Sequence, residues 1–397
     1  MGKKVLILAS VASMIDQFNI PNIKLLKSLG FEVDVATNFE KGSTCSLERI
    51  EELKKRLNEM SVDSYQIDFN RKITDVNGIF KAIKQLDDVV KGKKNTISGK
   101  RFHDNGEYLF FHCHSPIGGV VGRLVAKRNS IKSIYTAHGF HFFKGAPLKN
   151  WFLFYPVEWF FSWFTDVLIT INKEDYTRAT KHFHAKKIEY VPGVGVDVKS
   201  FSKCNVSKQE KRKELGIPEN AFVFVSVGEL NDNKNHRTII EALAKINDKK
   251  VVYALCGIGN LLDELKNICI ELGVEDRVFF LGFRKDIKEI LYASDVFVFP
   301  SKREGLGLAA IEAMATGLPI ITSNIHGIKD YSINGVTGFS CEPTNVNEFY
   351  EAMNNLVLSP EKMSMYGAKV REVAKNFDLE IVYNEMNKIY GNFISNN

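Results

Sequence analysis

Two carboxylates and three glycines share the stretch Phe299–Pro319, F-P-S-K-R-E-G-L-G-L-A-A-I-E-A-M-A-T-G-L-P, with seven residues separating Glu304 from Glu312. Asp295–Phe299 alternates and is rich in Val and Phe, so it reads as a strand, while Ala309, Ala310, Ala313, Met314 and Ala315 are strong helix formers. Strand, glycine-bearing turn and helix start mark the carboxyl edge of an open α/β sheet, where ligands bind and unpaired helix amides attract anions. Gly305 and Gly307 leave the backbone uncovered, so amides of Gly305, Leu306, Gly307 and Leu308 can approach a ligand oxygen directly. On this reading Glu304 points out of the loop and Glu312 anchors below it. A surface acid ahead of an ordinary capped helix has the same local look, so the rest of the chain must decide.

Other strand ends carry chemistry too. Tyr108–Ser115, Y-L-F-F-H-C-H-S, is a strand whose alternation puts His112 and His114 on one face, with His114 at the carboxyl tip. A neighbouring strand, Ile131–Thr136, runs into T-A-H-G-F-H and places His138 at the equivalent tip. His112 reads as a core histidine, and His114 and His138 as site residues. A metal site lacks a third ligand at sensible spacing. Farther on, V-G-E-L-N-D-N-K-N-H brings Gly228, Asn233 and Lys234 to a strand end, G-I-G-N brings Gly257, and G-F-R-K-D brings Arg284. Lys234 offers an ammonium to a diphosphate, and Arg284 or Arg303 offers forked contacts to phosphate or ribose.

These tips need sheets to hold them. Lys4–Ala9, Pro21–Leu29 and Phe31–Ala36 form a strand–helix–strand unit, so the first sheet should be parallel. Its first loop, S-V-A-S-M-I-D-Q-F-N-I-P, presents Asp16 where a substrate would lie, yet lacks the G-x-G-x-x-G of a dinucleotide site. Ser46–Met60 and Asp75–Val90 carry helical periodicity, and Lys91–Gly106 reads as an exposed basic loop. The first domain is expected to close at Pro192–Gly195, giving 1–197. Alternation of strand and helix restarts at Phe222 and gives a second doubly wound sheet in 198–375. A final helix in 376–397 is expected to return to the first domain. At 397 residues, two domains fit the length. The six cysteines are scattered without a C-x-x-C pair and the net charge is +6, which points to a cytoplasmic chain with no nucleic-acid motif. The short apolar run at the start reads as a buried strand rather than a signal peptide.

From Phe140 to Phe164 lies F-H-F-F-K-G-A-P-L-K-N-W-F-L-F-Y-P-V-E-W-F-F-S-W-F, holding all three tryptophans. At helical spacing Trp151, Tyr155, Trp159 and Trp163 line up, with Lys144 and Lys149 near the start. Lys144, Trp151 and Trp159 are therefore candidates for contact with a membrane surface, and a core helix interrupted by Pro156 and Glu158 is the alternative.

Taken with H-C-H-S-P-I-G-G, T-A-H-G-F-H, V-P-G-V-G-V-D and V-G-E-L-N-x-N-K-N, the Glu304–Glu312 signature resembles retaining family-four glycosyltransferases, in particular the branch building bacterial capsule and exopolysaccharide on a polyprenyl carrier. That resemblance covers almost the whole chain. It implies the GT-B architecture, two Rossmann-like α/β domains with parallel sheets facing a cleft, and transfer from a nucleotide sugar, a UDP-sugar by expectation, to a polyprenyl-diphosphate-linked saccharide at the inner membrane surface. His114 would contact the donor sugar with His138 beside it, Lys234 would bind the diphosphate, Glu312 the ribose, and Glu304 would face the sugar. No metal or resident cofactor is implied. Two departures stand out: Glu229 replaces the relatives' usual Arg, and the first loop lacks paired glycines. An epimerase or hydrolase of the same architecture, or a non-catalytic sugar-nucleotide sensor, would share the donor pocket.

Overall fold

The computed structural model describes residues 3–41, 45–70, 75–99 and 107–395. Two units fall out of it, one running to Val194 and taking in the chain from Tyr383 onward, the other Gly195–Val382.

In the first unit seven strands form one sheet: β1 Lys3–Leu8, β2 Phe31–Thr37, β3 Asp63–Gln66, β4 Tyr108–His114, β5 Lys132–Ala137, β6 Val167–Thr170 and β7 Lys187–Tyr190. Their order is β3-β2-β1-β4-β5-β6-β7, and every pairing is parallel. Covered by helices on both faces, the central strands K-K-V-L-I-L and Y-L-F-F-H-C-H are buried nearly end to end, as a parallel sheet requires. Helix Pro116–Arg128 packs close to this sheet through glycine: a Cβ at Gly119 would fall 2.5 Å from the Tyr135 ring and one at Gly122 2.5 Å from Cys113 Sγ.

The second unit repeats the plan with β8 Phe222–Val227, β9 Val251–Cys256, β10 Val278–Gly282, β11 Val296–Phe299, β12 Ile320–Ser323 and β13 Gly338–Cys341, ordered β10-β9-β8-β11-β12-β13 and parallel throughout. In both sheets the order reverses beside the first strand, at β1/β4 and at β8/β11. That reversal opens a crevice at the carboxyl edge of each.

Several elements differ from the sequence reading. The first loop is helical: Ala12–Met14, a π-turn over Ile15–Asn19, then Ile20–Ser28. Ala12, Ile15, Asn19, Ile23 and Leu26 are all buried, a three-and-four spacing hidden by the extra residue of the π-turn. β3, β12 and β13, four residues each, were not anticipated. The aromatic helix begins only at Leu148; Phe140, Phe142 and Phe143 before it are buried in irregular chain. Of the expected basic loop, 91–99 is turn and 100–106 lies outside the described residues. The last helix runs Leu379–Ser395.

Candidate active site

At the β8/β11 switch point the chain leaves both strands toward one place. Lys234, beyond β8, and Glu304, beyond β11, pair with Nζ 2.5 Å from Oε1, and their side chains stay 21% and 13% exposed. Beneath the ammonium lies the Phe299 ring, 4.8 Å from Nζ to its centroid. Asn235 ties the two loops together. It holds a left-handed φ of 58°, which asparagine tolerates, and its amide donates to the carbonyls of Pro300 (3.1 Å) and Pro343 (2.7 Å). Asn233 Nδ2 donates to the Arg303 carbonyl at 3.0 Å, and Lys302 N donates back to the Asn233 carbonyl at 2.8 Å.

Glycine lets the strand tips crowd. A Cβ at Gly257 would lie 1.8 Å from the Gly228 carbonyl oxygen, and one at Gly327 the same distance from that of Gly305. Gly307, at φ 86°, precedes helix Leu308–Thr316, whose first amides have no intrahelical acceptor. Leu306 is buried, and Glu312 sits on the second turn, where burial pushes its carboxyl up. The sequence-predicted donor residues Gly228, Asn233, Lys234, Gly257, Glu304, Gly305, Leu306, Gly307, Leu308 and Glu312 thus belong to one sheet edge. Two arginines are placed otherwise. Arg284 spends its guanidinium on Asp286 and Glu214, while Arg303 is exposed and meets Asn233 only through its backbone. Glu229 is exposed.

In the first unit the β1/β4 switch point brings Ser10 against Ser115: Ser115 Oγ donates to Ser10 Oγ at 2.8 Å and accepts from Ser10 N at 3.1 Å. Ser115 holds a φ of 65°, outside the ordinary range for a side-chain-bearing residue, so the corner after His114 carries backbone strain. His114 Nδ1 and His138 Nε2 lie 3.0 Å apart and share one hydrogen bond. His114 is buried, and its Nε2 has no partner among the described residues. His112 is the core histidine expected, bonded at Nδ1 to the Tyr390 hydroxyl and at Nε2 to Thr136 Oγ1, both 2.8 Å; its ring centre is 4.1 Å from that of His114.

Burial holds all three imidazoles neutral, with His112 near 3, His138 near 4 and His114 well below its usual value. Unfolded, each would take up a proton near 6.5. Below that pH the unfolded chain binds more protons, so folded stability is complete above about 6.5 and is lost as pH falls toward 4, at up to about 1.4 kcal/mol per pH unit per histidine. His236, held near 4 in the second unit, adds to the loss; Asp34, whose carboxyl burial raises to about 6, opposes it. A urea midpoint clearly lower at pH 5 than at pH 7 is expected, and an unchanged midpoint would refute the buried neutral state.

Beside His138 opens a cavity of about 190 Å³, lined by Ser115, Tyr135, Phe140, His141, Phe154 and Glu158 among others. Asp16 is paired with Arg49 at 2.6 Å, and Lys144 is exposed. The tryptophans do not form one face. Trp151 is half-buried against Phe142 and Tyr155 with the Arg178 guanidinium 4.7 Å above it, whereas Trp159 and Trp163 are 40% and 58% exposed. At about 100° per residue the helix itself turns the first toward the core and the others away. Among the described residues no group of three His, Cys, Asp or Glu could hold a metal, and no helix is long and apolar enough to cross a membrane. Sequence reasoning missed Asn235, Ser10, Ser115 and the buried trio Arg123, Tyr135 and Glu158. Asn235 had a signal, an asparagine just before a helix, and so did Glu158, a lone acid in an apolar stretch.

Two Rossmann-type units, ordered 3-2-1-4-5-6-7 and 3-2-1-4-5-6 and each with polar residues at its switch point, match the GT-B architecture. HepE of Anabaena, solved with UDP and glucose, superposes over the full length of both chains with a TM-score of 0.74 at 20% identity. The model of "Glycosyl transferases group 1" matches residues 207–373. Bacillus subtilis EpsD, itself assigned only provisionally as a glycosyltransferase, is 34% identical over 99% of this chain and 98% of its own. An Escherichia coli enzyme, UDP-Gal:alpha-D-GlcNAc-diphosphoundecaprenol alpha-1,3-galactosyltransferase, is 35% identical over 67% of this chain and 70% of its own. The chain belongs to the group 1 glycosyltransferases, enzymes that use nucleotide sugars.

Proposed function

We propose that the protein is a retaining, metal-independent transferase that moves a hexose or N-acetylhexosamine from a UDP-sugar to a polyprenyl-diphosphate-linked saccharide, in capsule or exopolysaccharide assembly at the cytoplasmic face of a membrane. The observation that carries the donor half is the Lys234–Glu304 pair at the β8/β11 switch point. The acceptor half is drawn from the galactosyltransferase relative, whose named acceptor is a diphosphoundecaprenol-linked sugar.

Chemically, the bond from the anomeric carbon to the diphosphate oxygen breaks and its electron pair leaves with the diphosphate. The acceptor hydroxyl bonds to that carbon on the face just vacated and passes its proton to the departing phosphate oxygen. Charge therefore develops in two places, positive on the sugar and negative on the leaving group. Lys234 and the amides around Gly307 answer the second, and the Glu304 carboxylate the first. Glu312, one helical turn further in, holds the ribose hydroxyls. His114, neutral and with an unpaired nitrogen, binds a sugar hydroxyl. A membrane partner is supported by the apolar helix Leu148–Ser162: Leu148, Phe152, Trp159, Phe160 and Trp163 are exposed, with Lys144 and Lys149 at its start.

The test is a panel of UDP-, GDP- and dTDP-sugars with purified protein in chelator, following nucleotide diphosphate with and without a polyprenyl-diphosphate-linked sugar. Acceptor-dependent release of UDP from one donor is expected, with the new linkage keeping the donor's anomeric configuration. Release at the same rate without acceptor would favour a hydrolase or epimerase, and a requirement for added divalent metal would refute the metal-free site.

A further inference from the structure

Helix Leu148–Ser162, L-K-N-W-F-L-F-Y-P-V-E-W-F-F-S, is apolar nearly all round. For such a helix burial of apolar surface gives no preference for which side faces the sheet, because every rotation buries about as much. Yet one rotation is present, and it is inverted relative to an ordinary surface helix. Beyond the exposed Lys149 of its first turn, the charged residue of its body turns inward, Glu158 at 6% exposure with Ser162 at 1%, while Leu148 and Phe152 stand 75% and 80% exposed.

The inward side is held by ions. Arg123, 1% exposed, donates from Nη2 to Glu158 Oε2 at 2.9 Å and from Nε to the Gly119 carbonyl at 2.9 Å. Its guanidinium lies 4.0 Å from the centre of the Tyr135 ring, and the Tyr135 hydroxyl donates to Glu158 Oε1 at 2.8 Å. Each carboxylate oxygen thus has its own donor, one from helix Pro116–Arg128 and one from β5. Removing both ions from water costs about as much as their attraction returns, so the trio adds little net stability. What it selects is geometry: turning Trp159 inward would pull Glu158 away and leave Arg123 buried and unpaired, which is strongly unfavourable.

We propose that Arg123, Tyr135 and Glu158 are a polar anchor that sets the rotation of this helix and so holds its Leu148–Phe152–Trp159–Trp163 face outward, for insertion into a lipid–water interface. The occupant is taken from the membrane reading above, on which this step rests, and from the character of the face. Tryptophan suits headgroup depth, and exposed Lys144 and Lys149 flank the start of the helix with charge that suits anionic lipid. At the far end Trp163 stacks on His184, ring centres 3.9 Å apart, which keeps its indole on the surface.

The test uses the full chain with R123M/Y135F/E158L, an apolar set of similar volume that leaves no buried orphan charge, so that folding survives with an equal or higher urea midpoint. In lipid-free protein, iodide quenching of tryptophan fluorescence is expected to fall about twofold as the exposed indoles turn partly inward. Partition onto phosphatidylglycerol–phosphatidylethanolamine vesicles is expected to fall about tenfold. A folded triple variant with native quenching and native partition would overturn the anchor. Should the native protein ignore the vesicles while the variant still changes its quenching, the anchor stands and the membrane reading falls. Concentration-dependent dimerisation of the native protein, lost on Phe152→Ser with vesicles ignored, would assign the face to a second copy and overturn the lipid assignment.

Discussion

Glu304→Ala is expected to lower kcat at least about a hundredfold and to leave UDP binding as tight as before or tighter. Both halves follow from its pairing with Lys234 across the switch point. Unliganded, the carboxylate and ammonium neutralise each other. On the proposed mechanism a diphosphate arriving at the Gly307 amides claims the ammonium, and the carboxylate is released to face the sugar as that becomes cationic. A carboxylate about 4 Å from a unit positive charge is worth about 4 kcal/mol at an effective permittivity of 20, and a hundredfold in rate needs only about 2.7. Removing the carboxylate also removes Lys234's competing partner and one negative charge facing the diphosphate. Lys234→Ala should act in the opposite sense on binding, weakening UDP about tenfold, the scale of one charge-assisted contact. Calorimetric titration of UDP into both variants, beside their turnover numbers, decides the matter. If Glu304→Ala keeps near-native kcat, or loses UDP affinity in step with Lys234→Ala, then Glu304 merely positions the lysine.

That the proposed donor residues gather at one sheet edge was legible in the sequence because it depends on local signals. A strand, a glycine turn and a helix start lie within some twenty residues, and backbone conformation fixes what they present. Lys234 and Glu304 could be assigned to strand ends separately. Their direct pairing could not, since it depends on β8 lying next to β11, a consequence of crossover topology. His114 and His138 were legible for the same reason as Glu304, each ending a strong alternating strand, and β4 and β5 are neighbours in both sequence and sheet. Ser10 and Ser115 were not, because β1 and β4 are a hundred residues apart and the strained corner at Ser115 leaves no compositional mark. β3, D-S-Y-Q, is a short edge strand with polar alternation, and β12 and β13 are four residues each, too short for a period to show. The aromatic segment misled in an instructive way. Spacing correctly made it a helix, but aligning Trp151 with Trp159 presumed that aromatic residues share a face; in an apolar helix the polar residue decides, and Glu158 points inward.

His114→Leu is expected to cost at least about a hundredfold in turnover while the urea midpoint stays level or rises, and this opposition separates a working histidine from a structural one. A buried ring nitrogen without a partner weakens the fold by about 1–3 kcal/mol, and leucine of comparable volume lacks that defect. The substitution also leaves His138 Nε2 without its partner, so one buried defect replaces another and stability gives little reason for an imidazole at the tip of β4. On the proposed reading, the shared bond with His138 fixes what the imidazole offers a substrate. Both rings are neutral, so one donates and the other accepts at Nδ1···Nε2, and whichever way the proton lies, the far nitrogen of His114 keeps one defined character, donor or acceptor. A substrate hydroxyl can supply either. Because burial holds both rings neutral, His138 down to about 4 and His114 well below its usual value, the turnover of the native enzyme should be flat through pH 6, where a solvent-exposed histidine would already be mostly protonated. His138→Leu, which frees the proton of His114 from its fixed position, should lose less, about tenfold, and lose it in kcat rather than in donor affinity. Near-native turnover in His114→Leu would remove the residue from the reaction. A midpoint that drops by several kcal/mol with activity falling in proportion would return it to the core alongside His112.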